Sequence, residues 1–316
     1  MSKKSANQIR VFAPATVANV ACGFDIMGLA LDGVGDQITI TKTNDGQLTI
    51  GEISGAENIP TDAEKNVCTV AVKAMLDDLG QAQGFRIDIS KHVAPGSGLG
   101  SSASSAAGAV FGANELMGRP YTRKQLVKYA MEGERVASEK AHADNVAPSL
   151  MGGFAVIRSY TPLDVFSISY PEELAVAVIY PSVEVKTADA KKILKKEVAL
   201  SAAITQWGNV AGLTAGLITG DYGLIERSLQ DVIVEPIRSI LIPCYDAMKA
   251  AALATGALGC NISGSGPSVF ALCKGKDTAT EVAEAMGNVL SQYDIDYGHY
   301  ISMVNKKGCE IINPAS

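Results

Sequence analysis

The stretch most able to do chemistry is Pro95-Gly96-Ser97-Gly98-Leu99-Gly100-Ser101-Ser102-Ala103-Ser104-Ser105. Gly96, Gly98 and Gly100 tolerate positive φ and let a ligand come close to the backbone. Pro95 stiffens the way in. Ser101 and Ser102 stand where Ala103, Ala106, Ala107 and Ala109 open a helical run. A helix start leaves about four N–H groups unpaired and turns its positive dipole end outwards, so the natural occupant is an anion. Serine hydroxyls add hydrogen bonds or ligate a metal ion. A glycine-rich turn before a closely packed alanine helix explains the same composition. Two common phosphate loops are excluded. No lysine lies inside the stretch, so G-x-x-x-x-G-K-[ST] is absent. The glycines do not fall as G-x-G-x-x-G either.

Other polar residues have ordinary structural readings. Asp25 fits the cap of a helix from Ile26. Arg238 fits a surface ion pair. Glu134 fits one charge on a solvated helix face with Glu132, Arg135, Glu139 and Lys140. Asn66 fits a cap for the helix at 67. Each takes a second reading only from the resemblance described below. His142 is a base or a structural residue.

The elements that must position these residues read as follows. Strands are expected at 8–12, 36–41, 47–53 and 85–90, with a helix at 66–79 where Val67, Val70, Ala71, Ala74, Met75 and Leu79 recur at helical spacing. A helix over 101–117 follows the loop. Thr122 with Gln125 three residues on makes a capping box for a helix running to Ser138. A strand returns at 153–159. Thr161-Pro162 and Tyr170-Pro171 mark a break, and the chain divides into units 1–165 and 166–316. The second half reads as strand 174–180, helices 187–196, 199–219, 221–230 and 243–255, strands 258–263 and 267–273, helix 277–292 and strand 298–304. Helices are interspersed with strands that are often sequence neighbours, which makes the fold class α+β.

The bulk numbers set outer bounds. The 316 residues are 47% apolar and 19% charged, enough for one large or two moderate cores. A net charge of −6 gives no basic excess for nucleic acid or an anionic membrane. Six cysteines without C-x-x-C spacing and three histidines fit reduced thiols in a cytoplasmic protein better than a zinc site or a disulfide framework. No stretch approaches the roughly 20 apolar residues of a membrane helix.

Pro95–Ala103 resembles the phosphate-binding motif P-x-x-x-G-L-G-S-S-A of the GHMP kinases, which include galactokinase, homoserine kinase and mevalonate kinase. APATVANVACGFDIMGLAL (13–31) and NISGSGPSVFAL (261–272) resemble two further family stretches, in the same order and spanning almost the whole chain. Within the family, Asn19 and Gly23-Phe-Asp25-x-x-Gly28 are similar to homoserine kinases, not to the P-G-[KR]-x-x-x-x-G-E-H of mevalonate-kinase-like chains. HADNVAP (142–148) with Gly152-Gly153, and DVIVEPIR (231–238) with Leu241-Ile-Pro243, point to the same branch.

The resemblance implies a two-domain fold, ribosomal protein S5 domain 2-like at the N-terminus and ferredoxin-like at the C-terminus. It implies ATP and Mg²⁺ as cofactors, L-homoserine as substrate, threonine biosynthesis as context and a homodimer. The loop would hold ATP, with Asn66 near the base, and Ser102 and Glu134 would hold the metal. Asn19, Asp25, Arg238 and Gly264 would face the substrate. A second arginine is usual after T-x-x-A, but here Thr187-Ala-Asp-Ala190 runs into Lys191, which keeps the charge and loses the fork. In mevalonate-kinase-like relatives an aspartate acts as base beside a lysine. Asn145 and Thr16 stand at those positions and neither can take a proton at neutral pH, while Asp144 is one residue off register. The expectation is therefore transfer without a strong base, Asn145 orienting the substrate hydroxyl, as a loose transition state permits. The alternatives are another GHMP small-molecule kinase or a non-catalytic sensor on the same fold.

Overall fold

The computed structural model describes residues 7–138, 142–183, 190 and 192–312. Its first sheet is built on β1 (Gln8–Ala18) and β2 (Met27–Thr43), a long antiparallel pair. Both run well beyond the alternating segments expected from sequence. The added parts, around 13–18 and 27–31, are buried on both faces and so show no alternation to read. β3 (Leu48–Ser54) and β4 (Gly84–Ser90) pair in parallel across helix α1 (Val67–Leu79). The sheet order is β11-β1-β2-β4-β3, where β11 is Glu310–Ile312, with a hairpin of β5 (Phe154–Tyr160) and β6 (Leu163–Ile168) joined to β2 through β5.

Helices α2 (Ser101–Leu116), α3 (Arg123–Ser138) and α4 (Ala143–Met151) join α1 over one face of this sheet. Ile38, Ile40, Phe85 and Ile87 meet Ala103, Ala106, Ala107 and Ala109 of α2 there. Alanine side chains let α2 lie so close to the sheet that it is buried almost throughout. The capping box of α3 forms: Thr122 N donates to Gln125 Oε1 at 2.9 Å, and Gln125 N to Thr122 Oγ1 at 3.4 Å.

The second half supplies β7 (Leu174–Pro181), α5 (Leu200–Thr219), α6 (Tyr222–Ser228), α7 (Glu235–Arg238), α8 (Tyr245–Ala254), β8 (Gly259–Ile262), β9 (Val269–Lys274), α9 (Lys276–Ser291) and β10 (Tyr297–Met303). An antiparallel sheet of order β10-β7-β9-β8 results. On β7, Leu174, Val176 and Val178 pack towards Leu29, Leu31 and Phe154 of the first sheet. Ala175, Ala177 and Ile179 point the other way, into a core with Met248 of α8 and Met286 of α9. The layers are therefore helices, sheet, sheet, helices. β11 (Glu310–Ile312) crosses back to pair with β1.

The structure adds elements that the sequence reading lacks. α4 occupies a stretch read as motif only: Ala143, Val146, Ala147 and Leu150 have helical spacing, but Pro148 masks it. β6 occupies part of the stretch that the sequence marks as a break between the halves. α7 and β11 are too short to show a period. Of the helix expected over 187–196, residues 187–189 and 191 lie outside the described residues; 190 and 192 are helical, and 193–196 are not. All six cysteines are free, and burial raises the thiols of Cys22, Cys68 and Cys309 to about 12. No described helix is long and apolar enough to cross a membrane.

Candidate active site

β4 ends at Ser90 and α2 starts at Ser101, leaving the glycine-rich segment as the connection. Gly100 caps α2 at φ 66° with no side-chain hydrogen bond, so the first-turn N–H groups stay available. Gly100 is required by space as well as by φ. A Cβ there would lie 2.2 Å from Thr16 Oγ1 and 2.7 Å from Asn145 Oδ1. Gly98, at φ 83°, is hemmed in likewise, its Cβ position 2.7 Å from Ser263 O and 2.8 Å from Gly266 O. Ser263 Oγ donates to Gly98 O at 2.7 Å, Ser268 N to Ser97 O at 3.2 Å, and Thr16 N to Leu99 O at 3.1 Å. All three sequence motifs therefore meet at one loop, from three distant parts of the chain.

Two cavities open beside the loop and share Pro95, Ser101, Ser102 and Ala137. The larger, about 550 Å³, is lined by Gly96, Gly98 and Gly100 of the loop and by Asn19, Asp25, Arg238 and Gly264. The smaller, about 440 Å³, is walled by Ile59, Pro60, Val67 and Val136, with Lys91 among the polar groups. A strip of backbone N–H groups beside an apolar slot fits a nucleotide, phosphates on the strip and base in the slot.

Asp25 caps no helix, since residues 24–26 form a turn and β2 starts at Met27. Its φ is 60°, held by Asn19, whose Oδ1 accepts from Asp25 N at 3.1 Å. Asn19 Nδ2 donates to Gly264 O at 2.9 Å, and Arg238 Nη1 donates to the same oxygen at 3.0 Å. Arg238 is no surface ion pair. It is 4% exposed, donates through Nε to Ala190 O at 3.1 Å and lies 5.0 Å from the Phe24 ring centre. Burial pulls its pKa below the ordinary guanidinium value, while Asp25, Asp231 and Asp144 act against that pull. Among the described residues its hydrogen bonds go to neutral carbonyls, which leaves this buried cation ready for an anionic partner.

Thr16 Oγ1 donates to Asn145 Oδ1 at 2.7 Å, which leaves the Asn145 amine as the group available to a ligand. Asp144, 3% exposed, has an Oδ1 without a hydrogen-bond partner and lines the same cavity. Burial, then the charges of Asp25 and Glu134, raise its carboxyl to about 7. Glu134 is 7% exposed and faces the cavity, not solvent. His142 Nδ1 lies 3.5 Å from Asp25 Oδ1.

The residues singled out from sequence separate by position. Gly96, Gly98, Gly100, Ser101, Ser102, Glu134, Asn145, Asn19, Asp25, Arg238 and Gly264 all line the larger cavity. Asn66 lines the smaller one and also caps α1, its Oδ1 accepting from Cys68 N at 2.9 Å. Leu99, Ala103 and Ser104 are fully buried and line neither cavity, nor does Ser97. The hydroxyls of Ser104 and Ser105 turn away from the loop, towards Asp36. These residues shape the loop from behind, and Ser102 is the serine common to both cavities whose hydroxyl is not committed to Asp36 or Val93. Thr187 and Lys191 lie outside the described residues. Sequence reading missed Asp36, Lys91, Phe24 and the lysines Lys195 and Lys196, which reach the rim of the larger cavity. Only Lys91 carried a signal, as a charged residue closing an apolar strand just before the loop.

Comparison with known proteins identifies the family. Residues 66–153 match the family model described as GHMP kinases N terminal domain, and residues 213–292 match GHMP kinases C terminal. A homoserine kinase of Chloroherpeton thalassium is 44% identical over 317 residues, covering 96% of this chain and 99% of that one. One from Xylella fastidiosa is 35% identical, covering 98% and 95%. The crystal structure of homoserine kinase from Cytophaga hutchinsonii matches with a TM-score of 0.95 at 48% identity, over 99% of both chains. A mevalonate kinase of L. major gives 0.70 at 15% identity over 96% of this chain, a likeness of fold alone.

Proposed function

The chain belongs to the homoserine kinases of the GHMP family, and on that premise we propose that it transfers the γ-phosphoryl group of ATP to the side-chain hydroxyl of L-homoserine. The product is O-phospho-L-homoserine, on the route to threonine. The enzyme is an ATP-dependent phosphotransferase with an alcohol acceptor. One observation carries the residue assignments: Asp25 and buried Arg238 line one cavity together with the loop at the N-terminus of α2. A zwitterion needs an anion for its ammonium and a cation for its carboxylate, and that cavity offers both.

The loop N–H groups and the α2 dipole stabilise charge on the transferring phosphoryl. Ser102 and Glu134 bring a hydroxyl and a carboxylate to the same cavity, hard oxygen donors that suit Mg²⁺. Bound there, the ion would neutralise charge on the β- and γ-phosphates. Asn145, its oxygen fixed by Thr16, donates its amine to the substrate hydroxyl oxygen and holds it in line. An amide has no basic site, so no proton passes to it. Asp144 belongs to the ammonium side, beside Asp25. In a loose transition state the hydroxyl proton leaves late, onto the phosphoryl oxygens, and positioning does the work.

The wider reading includes a homodimer, a cytoplasmic setting where thiols stay reduced, and units divided near 165. Support for the dimer comes from α5, a 20-residue helix without one charged side chain, on which Leu200, Ile204, Trp207 and Ile218 are exposed. A coupled ADP-release assay against homoserine, mevalonate, galactose and shikimate tests the substrate. Homoserine alone should give turnover. Turnover with mevalonate and none with homoserine would refute the proposal.

A further inference from the structure

Beneath the loop lies a buried ion pair that the chemistry above does not use. Asp36 comes from β2 and Lys91 from the residue after β4, and their side chains are 0% and 3% exposed. Lys91 Nζ donates to Asp36 Oδ2, to Ser101 O at 2.7 Å and to Ser105 Oγ at 3.0 Å. An ammonium has three hydrogens, so all are engaged and none is left for a phosphate. Lys91 is thus not a phosphate-binding lysine, although it sits just ahead of the loop.

The partners of the pair show what it does. Asp36 Oδ1 accepts from His92 N at 2.9 Å and Val93 N at 3.1 Å, the residues that enter the loop. Asp36 Oδ2 accepts from Ser104 Oγ at 2.8 Å, on the first turn of α2. Lys91 grips Ser101 O, where the loop becomes helix, and Ser101 Oγ closes the gap by donating to Val93 O at 2.8 Å. Both ends of the loop are therefore fastened to one pair. The span between carries three glycines at positive φ, which gain nothing from local rigidity. An unfastened loop of that composition would lose entropy each time it closed on phosphate.

We propose that Asp36 and Lys91 are positioning residues that hold the loop in its nucleotide-binding shape before ATP arrives. The inference rests on reading the loop as the phosphate site. The pair acts on nucleotide affinity, not on the substrate pocket or the transfer step, because its contacts stop at the two ends of the loop.

The test uses Asp36→Asn, Lys91→Met and the double variant, with thermal midpoint, kcat and both KM values measured on the full chain. Each single variant strands a buried charge and should lower the midpoint, and the double variant should recover much of it. KM for ATP should rise about tenfold or more in all three, with kcat and KM for homoserine within about threefold. Failure to recover KM for ATP when the midpoint recovers is the mark of positioning. A double variant with native KM for ATP would overturn the inference and leave the pair with stability alone, as would a rise confined to KM for homoserine. Should the single variants not fold, Ser104→Ala removes one strap from Asp36 and should raise KM for ATP about threefold, and an unchanged value would count against the proposal. Absence of ATP-dependent turnover in the wild-type chain would instead refute the phosphate-site reading itself.

Discussion

Thr16 and Asn145 join through a neutral hydrogen bond at the point where a lysine and an aspartate would make a proton-removing pair. The amide then acts by geometry, and its loss should be felt in the rate. Asn145→Ala should lower kcat about a hundredfold, the scale of a misplaced reacting group, with both KM values within about threefold by steady-state assay. Asp144 makes a different demand. Its carboxyl titrates near 7 in the fold against 3.8 for the unperturbed group. The unfolded chain therefore ionises first, and this residue's contribution makes stability fall as pH rises from about 4 to about 7. An arriving ammonium favours the ionised form. Below about pH 7 binding must expel a proton, so KM for homoserine should rise, by at most about tenfold per pH unit. Measured from pH 8 down to 5.5, that rise should flatten in Asp144→Asn. A flat wild-type profile would remove Asp144 from the ammonium side.

Short elements place the decisive groups, and they were the hardest to read. α7 has four residues and cannot stand on its own propensity. It is held by Asp231, whose carboxylate accepts from Ile233 N, Val234 N and Glu235 N at 2.9, 3.0 and 3.0 Å, and by Glu235, which accepts from Asn261 Nδ2 at 2.5 Å. Asp231→Ala should cost about 1–2 kcal/mol in urea unfolding, the scale of a lost cap, and should raise KM for homoserine through Arg238 while leaving KM for ATP unchanged. Equal effects on both KM values would mean that α7 does not act through Arg238. Long amphipathic elements such as α3 were legible in sequence because one face repeats. α4 was not, because Pro148 reads as a breaker, although in this helix it removes a single hydrogen bond. The two-sided burial of β1 and β2 erased their alternation. The Asp36–Lys91 pair joins residues 55 apart, and no local pattern reports such a contact. The loop was legible through its likeness to a family motif together with the stretches at 13–31 and 261–272, since its glycines alone fit a tight turn equally well.

At the scale of the whole molecule, the sheet-on-sheet core brings residues 13–31, 93–105 and 261–268 to one place, and no half of the chain holds the site alone. The exposed apolar residues of α5 line neither cavity, and its Trp207 is the one tryptophan of the chain. Ile204→Glu with Trp207→Glu should turn a dimer into a monomer in sedimentation velocity with kcat within about twofold. A wild-type monomer would end the dimer proposal. The central claim is that this convergence positions ATP and an alcohol well enough for transfer without a carboxylate base. The most direct measurement is kcat of Asp144→Asn at saturating ATP and homoserine. The account predicts a value within about tenfold of wild type, with KM for homoserine raised. A fall of about a thousandfold or more, with fold and binding intact, would contradict it and make Asp144 the base.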